Sequence, residues 1–163
     1  LICFTLGKDH DITDVAYNIL LPLERIITLL IYASVFAKSK QKNIYLVGLI
    51  AVGFIRIISF LYQPTLVEFH YVANTIEGLL VAILSYVFVR SLSARESPAR
   101  VIVFAFGLAT FLYLTLMASA MSAVSLAYAH SEAYGRAIYG INIIAYIIWS
   151  IILITAILWK KRN

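Results

Sequence analysis

Residues 38–64 read KSKQKNIYLVGLIAVGFIRIISFLYQP, and this stretch decides the fold. It opens with three lysines, runs through an apolar segment whose only charge is Arg56, and closes at Gln63-Pro64. A helix needs about 20 apolar residues to cross a bilayer, and a helix rarely continues into a proline. The stretch therefore predicts a membrane-spanning helix over residues 43–62 that starts at a basic loop.

Basic residues recur in this way at one end of every apolar segment. Hydrophobic residues make up 63% of the 163-residue chain, which is more than a soluble domain of this size needs. Short loops rich in Lys and Arg stay on the cytoplasmic side of a membrane. Five helices, with the N-terminus outside and the C-terminus in the cytoplasm, place all three basic clusters on that side. The clusters are Lys38, Lys40 and Lys42; Arg90, Arg95 and Arg100; and Lys160, Lys161 and Arg162.

The chain is therefore predicted to form one all-α domain over residues 1–163, a polytopic integral membrane helix bundle of five transmembrane helices. Residues 7–18 and 129–135 are expected to be loops on the outer side. Pro22 is expected in the first turn of the first helix, and Ser97-Pro98 at the start of the fourth. The spans are expected at about 19–37, 43–62, 70–90, 98–128 and 136–159.

The location of the charges also bears on the partners of the chain. The formal net charge is +5, but it comes from the predicted cytoplasmic loops and not from a basic face suited to nucleic acid. We therefore expect the lipid bilayer as a partner and no nucleic acid. The bacterial inner (cytoplasmic) membrane is the expected location.

Four charged residues fall inside the predicted spans: Glu24, Arg25, Arg56 and Glu77. Each costs at least about 2.5–3.5 kcal/mol at the centre of a membrane on insertion scales, so each needs a partner. Folding the second and third helices back on each other brings Arg56 level with Glu77. The same construction on the first two helices brings Arg56 level with Glu24 or Arg25. All four are expected in one polar layer about 9 Å below the outer surface.

Within this layer Arg56 is predicted to bridge Glu24 and Glu77, while Arg25 either joins them or extends toward the interface. Two interpretations of the layer remain open: a structural ion-pair network that fixes helix packing, and a ligand or proton site reached from outside. Polar neighbours at a similar depth are Asn74, Ser122 and Asn142.

The three histidines, His10, His70 and His130, all fall on the predicted outer side. Imidazole and carboxylate are ligands for zinc, copper or iron, so the three are weak metal candidates, but we expect exposed loop histidines and no metal. Cys3 is the only cysteine, which rules out an internal disulfide. Since no histidine lies in mid-span, a multi-haem carrier is also excluded, and no cofactor is predicted.

The first three helices resemble those of small polytopic bacterial proteins of unknown activity. Such proteins carry an acid in the first helix, an arginine near the end of the second and a glutamate inside the third. The matching residues are Glu24, Arg56 in GFIRIISFLY and Glu77 in FHYVANTIEGLL. The resemblance implies a helical membrane fold of seven spans, whereas this chain shows five, and it implies no activity.

These features favour a non-enzymatic accessory or scaffold subunit of a larger membrane complex, with other membrane subunits as partners. The predicted loops are too short for a catalytic domain, and stripes of small residues such as Gly78 and Ala82 let helices approach closely. One alternative is a small-solute or proton transporter that uses the buried charges. The other is the membrane sensor module of a receptor, with the tail WKKRN at 159–163 leading into a soluble domain.

Overall fold

A computed structural model of the chain describes residues 10–65, 70–93 and 99–162. Within these ranges the chain forms five helices and no strand, and each helix is long and apolar enough to cross a membrane. The prediction of an all-α chain with five helices of spanning length is therefore confirmed. The helices are α1 (His10–Val35), α2 (Lys42–Tyr62), α3 (Tyr71–Ser93), α4 (Ala99–His130) and α5 (Glu132–Arg162).

The chain divides into two compact units, residues 1–77 and residues 78–163. The first unit holds α1, α2 and the first turns of α3. Here Tyr32 of α1 meets Tyr45 of α2 edge-on at 5.6 Å between ring centroids. Phe36, directly after α1, stacks on Tyr45 at 5.8 Å, and all three rings are buried. These contacts lie beside the short turn that joins the two helices, and they fix α1 against α2.

The second unit holds the remainder of α3 with α4 and α5. Tyr113 of α4 lies 5.5 Å from Trp149 of α5 between ring centroids, and the Trp149 indole N–H donates to Thr110 Oγ1 at 3.3 Å. One turn before Thr110, Gly107 lies directly against the ring of Phe88 in α3. The aromatic side chains therefore join α4 to α5, and a close approach at a glycine joins α4 to α3.

Helix α1 begins earlier than the sequence predicts. It includes residues 10–18, which were expected to form a polar loop, and Pro22 lies inside the helix and not in its first turn. Residues 10–18 contain neither Gly nor Pro, and Asp11 and Asp14 carry negative charge near the helix N-terminus, where it is favourable. Both predictions are wrong because the apolar run, on which they were based, begins nine residues after the helix does.

The end of α2 agrees with the sequence prediction, whereas the connection between α4 and α5 does not. As predicted, α2 ends before Gln63-Pro64, and the backbone N–H of Gln63 donates to the carbonyl of Ser59 at 2.8 Å. The proposed helix start at Ser97-Pro98 lies outside the described residues. The expected loop over 129–135 is wrong, because Ser131 alone separates α4 from α5. Its hydroxyl accepts the N–H of Tyr134 at 3.2 Å, which caps α5 and lets it start at once.

The orientation of the chain is a prediction that single cysteines can test. In a Cys3→Ser background, we expect Thr65→Cys to react with a membrane-impermeant maleimide added to intact bacterial cells, because residue 65 lies at the predicted outer end of α2. Lys40→Cys, at the opposite end of the same helix, should react only after the cells are permeabilised. Both positions are exposed in the structure. The reverse pattern of labelling would show that the positive-inside assignment is inverted.

Candidate functional site

Four polar side chains meet in the interior of the first unit, and we call them the polar cluster: Arg25, Arg56, Asn74 and Glu77. Helix α1 supplies Arg25, α2 supplies Arg56, and α3 supplies Asn74 and Glu77 from positions one turn apart on a single face. Glu77 is 0% exposed, Asn74 1% and Arg25 2%, while the side chain of Arg56 is 11% exposed. Three helices thus enclose two full positive charges and one negative charge among apolar residues.

Both arginines bind one oxygen of one carboxylate. Glu77 Oε2 lies 2.5 Å from Arg25 Nη1 and 2.8 Å from Arg56 Nη2. Hydrogen bonds between ionised partners of this kind are about twice as strong as neutral ones. Since arginine keeps its proton in proteins, the two guanidinium groups and the carboxylate together carry a charge of +1.

Asn74 holds the two guanidinium groups in place beside Glu77. Its side-chain oxygen Oδ1 accepts from Arg25 Nη1 at 3.2 Å and from Arg56 Nη2 at 2.8 Å. Its backbone carbonyl accepts from Arg25 Nη2 at 2.8 Å. Among the described residues, all hydrogen bonds from the Nη atoms of Arg25 and Arg56 therefore go to Asn74 and Glu77, which lie on one turn of α3.

Several buried atoms of the cluster have no hydrogen-bond partner among the described residues. Four of them are nitrogen donors and one is an oxygen acceptor. In an apolar environment an unpaired polar group costs about 1–3 kcal/mol by mutational estimates, so a mismatch of this size is unusual. The atoms are Arg25 Nε, Arg56 Nε, Arg56 Nη1, Asn74 Nδ2 and Glu77 Oε1.

A second polar group, the histidine layer, is formed by Asn18, Ser59, Thr65 and His70. His70 Nε2 lies 2.9 Å from the carbonyl of Thr65, and because a carbonyl only accepts, Nε2 carries the hydrogen. In the neutral ring Nδ1 then accepts from the hydroxyl of Ser59 at 2.5 Å. The backbone N–H of His70 donates to Asn18 Oδ1 at 3.1 Å. His70 is thereby tied to α1, to α2 and to the connection after α2.

The histidine layer joins the polar cluster through the backbone of α3. The N–H of Asn74 donates to the carbonyl of His70 at 2.9 Å, which forms the first turn of the helix. On α2, Ser59 of the histidine layer and Arg56 of the polar cluster also lie one turn apart. The two polar groups therefore lie one helical turn apart on α2 and on α3, at the end of the first unit that is predicted to face outward.

Asn18 is expected to stabilise the histidine layer by satisfying a buried backbone donor. Asn18→Ala leaves the N–H of His70 unpaired and should lower the free energy of unfolding by about 1–3 kcal/mol. Asn18→Asp, measured at an acidic pH that keeps the new carboxyl group neutral, retains an acceptor at the same position without burying a charge and should lose less. Denaturation of the purified chain in detergent, followed by far-ultraviolet circular dichroism, measures both variants, since the helices of both units contribute to this signal. Equal losses in the two variants would show that the hydrogen bond does not carry the effect.

The structure brings some of the predicted site residues together and leaves others apart. Arg56 reaches Glu77, as the hairpin construction predicts. Arg25 does not extend toward the interface but is buried against Glu77. Glu24 is half-buried and forms no ion pair with any described residue, so the expected bridge from Arg56 to Glu24 is not present there. Arg25 occupies the place that was assigned to Glu24.

The remaining predicted residues lie elsewhere. Ser122 lies in α4 and Asn142 in α5, and the positions of their side chains are outside the described set. His10 begins α1 with its side chain likewise not described, whereas His130 is exposed and lies 5.4 Å from the ring of Tyr134. His70 is 1% exposed, so the expectation of an exposed loop histidine is wrong for it. The described residues include no group of three or more His, Cys, Asp and Glu side chains suited to a metal.

Sequence reasoning missed Asn18 and Ser59 as partners of His70. Asn18 was assigned to a loop because the start of α1 was placed too late. Ser59 lies one turn from Arg56 in the same predicted helix, and this spacing was a signal that could have identified it.

Comparison with known proteins supplies no family for the chain. No protein-family model matches it, and neither a curated protein nor a solved structure is significantly similar to it. The function is therefore argued from the geometry of the polar cluster.

Proposed function

We propose that this chain is a non-enzymatic, multi-pass protein of the bacterial inner membrane that binds a small polar solute at its polar cluster, either as a carrier or as the membrane module of a sensor. The observation that supports this proposal is the set of unpaired buried atoms on Arg25, Arg56, Asn74 and Glu77. Ionisable groups inside a membrane span are rare and often mark solute or ion pathways. A bound solute would supply the partners that these atoms lack among the described residues.

The charge arrangement favours this role over a purely structural network. The sequence suggested two acids facing two bases, a balanced arrangement that needs no further group. In the structure two arginines share one oxygen of Glu77, and Glu24 takes no part in the ion pairs of the described residues. A buried cluster with an excess positive charge is a costly way to fix helix packing. Apolar residues of similar volume would stabilise the same packing as well or better.

The proposal is tested by measuring the thermal stability of the full chain in a mild detergent with a panel of small anionic, cationic and neutral solutes. A ligand that binds only the folded state raises the free energy of unfolding by about 2.7 kcal/mol at one hundred times its dissociation constant. We expect at least one solute to raise the unfolding midpoint of the wild-type chain. The same solute should have no effect on Arg56→Gln.

The matched control is Arg90→Gln. Arg90 is an exposed arginine in the last turn of α3, far along the sequence from the polar cluster, so its replacement should leave the solute effect unchanged. If no solute in the panel stabilises the chain, or if Arg56→Gln still responds, the polar cluster does not bind a solute. Uptake of the active solute into proteoliposomes then separates a carrier, which accumulates it, from a sensor, which does not.

The accessory or scaffold role predicted from the sequence is the second candidate. It draws support from α5, whose apolar span has only 12% of its residues buried within the chain, the lowest share of the five helices. Lipid covers such a surface as readily as a partner subunit does, so the polar cluster carries more weight. Purification from native membranes tests this role directly. Stoichiometric co-purification of other membrane subunits would support it, and a chain that purifies alone would count against it.

A further inference from the structure

We propose that the solute held by the polar cluster is a small monovalent anion of about the size of a halide. This inference rests on the solute-binding function proposed above and adds the chemical class of the ligand. It follows from three properties of the polar cluster: its charge, the kind of atoms left unpaired, and their burial.

The charge of the cluster calls for one negative charge. Arg25 and Arg56 contribute two positive charges and Glu77 one negative charge, which leaves +1 in an apolar interior. An uncompensated charge in such a place is strongly unfavourable. One monovalent anion brings the sum to zero, whereas a divalent anion would reverse its sign and a cation would double it.

The unpaired atoms are those that recognise an anion. Four are N–H donors and only Glu77 Oε1 is an acceptor. Arg56 Nη2 and Asn74 Oδ1 already join these two side chains at 2.8 Å, so the unpaired Arg56 Nη1 and Asn74 Nδ2 belong to groups in direct contact. A bound cation would find one free acceptor against four repelling donors, and a neutral solute would leave the charge uncompensated.

The burial of the cluster limits the size of the anion. The residues from α1 and α3 are at most 2% exposed, and Arg56 is the most accessible member at 11%. An organic anion of many atoms would have to displace packed side chains from three helices. A halide demands the smallest displacement, and Arg56 is the side chain that it would meet first.

Glu24 is the other charged group near the cluster, since it precedes Arg25 on α1. It is half-buried, and it accepts none of the hydrogen bonds that the arginines donate within the described residues. It could balance the charge of the cluster only from a distance and without supplying partners to the unpaired donors. The test therefore includes a variant at this position.

The experiment follows the unfolding midpoint of the full chain in a non-ionic detergent while sodium chloride or bromide replaces sodium gluconate at constant ionic strength. We expect a saturable rise of the midpoint with chloride and bromide in the wild-type chain and in the control Arg90→Gln. The rise should be absent in Arg56→Gln. Equal midpoints in chloride and gluconate would overturn the proposal.

The outcomes separate this inference from the proposed function. If a cationic or neutral solute stabilises the chain through Arg56 while halides do not, the solute-binding function stands and the anion inference falls. If no solute of any class has an effect, both fall. If the wild-type chain ignores chloride and only Glu24→Gln responds to it, Glu24 is the balancing charge and the inference is overturned.

A measurement on the wild-type chain covers the case in which Arg56→Gln does not fold. Chloride that exchanges with a protein site shows a broadened ³⁵Cl resonance, and added bromide should narrow it again by competition. We expect this broadening for the purified chain in excess over that from detergent micelles alone. A line width identical to that of the micelles would overturn the proposal without any variant.

Discussion

Replacing Glu77 with glutamine is expected to lower the free energy of unfolding by about 3–5 kcal/mol, the cost of removing one partner of a buried ion pair. The cost lies at the upper end because Glu77 Oε2 serves two guanidinium groups at 2.5 and 2.8 Å. The amide of glutamine retains the shape and one acceptor but leaves Arg25 and Arg56 as uncompensated cations. A domain has only about 5–15 kcal/mol of stability in total. A loss of this size should therefore leave a larger fraction of the Glu77→Gln molecules unfolded.

Glu24→Gln is the matched control for this change. It removes a carboxylate one residue from Arg25, but that carboxylate forms no ion pair with the described residues. We expect a loss of no more than about 1.5 kcal/mol, the net value of an ordinary hydrogen bond. The measurement is denaturation in mixed detergent micelles with far-ultraviolet circular dichroism as the signal, because the helices of both units contribute to it. Comparable losses in Glu77→Gln and Glu24→Gln would show that burial of the ion pair is not what stabilises the first unit.

Replacing Gly107 with alanine is expected to destabilise the second unit by about 1–3 kcal/mol through overpacking. A Cβ atom at this position would lie 2.7 Å from Phe88 Cδ1, which is closer than carbon atoms tolerate, and 3.0 Å from Val89 Cγ2, which is a tight contact. Phe88 is fully buried, and Cδ1 is next to the attachment point of its ring, so it cannot move aside cheaply. Gly107→Val adds two further methyl groups and should cost more.

Two other glycines provide controls on helices of the same kind. Cβ atoms added at Gly53 and Gly140 would meet nothing within 4 Å. Since alanine is a better helix former than glycine by about 1 kcal/mol, Gly53→Ala and Gly140→Ala should be neutral or stabilising in the same denaturation assay. A loss in all three alanine variants would show that glycine is needed for a reason other than the approach of α4 to α3.

The sequence predicts the helices and one contact of the polar cluster, and the reasons are physical. A run of about 20 apolar residues has no stable alternative to a helix in a bilayer, so the five long helices could be read directly. The depth of a residue in a hairpin follows from its distance to the turn, which placed Arg56 level with Glu77. Neither inference depends on how a helix is rotated about its axis.

The choice between Glu24 and Arg25 does depend on that rotation, and here the prediction was wrong. Neighbouring residues on a helix point about 100° apart, so only one of the two can face the centre of the unit. The buried face of α1 is set by the packing of Tyr32, and of Phe36 directly after the helix, on α2, a tertiary contact that no local pattern specifies. The excess positive charge of the polar cluster follows from this rotation and could not be predicted.

The burial of His70 was missed for a similar reason. A histidine beside a proline turn at a helix end is usually solvated, and nothing in the local sequence sets it apart. Its partners come from α1, α2 and the connection after α2, up to 52 residues away in the chain. Only the early start of α1, which extends the helix past Asn18, brings these segments to one place.

The sharing of a single carboxylate oxygen by two arginines has a consequence for the history of the chain. Loss of Glu77 alone leaves two buried cations without an anionic partner. Loss of either arginine alone leaves a neutral ion pair that the bilayer tolerates. Substitutions should therefore accumulate in a fixed order, with one arginine changing first and the acid last. In related sequences that have lost the polar cluster, positions 25, 56 and 77 should all be apolar. A sequence that retains both arginines but has no acid at position 77 should not occur.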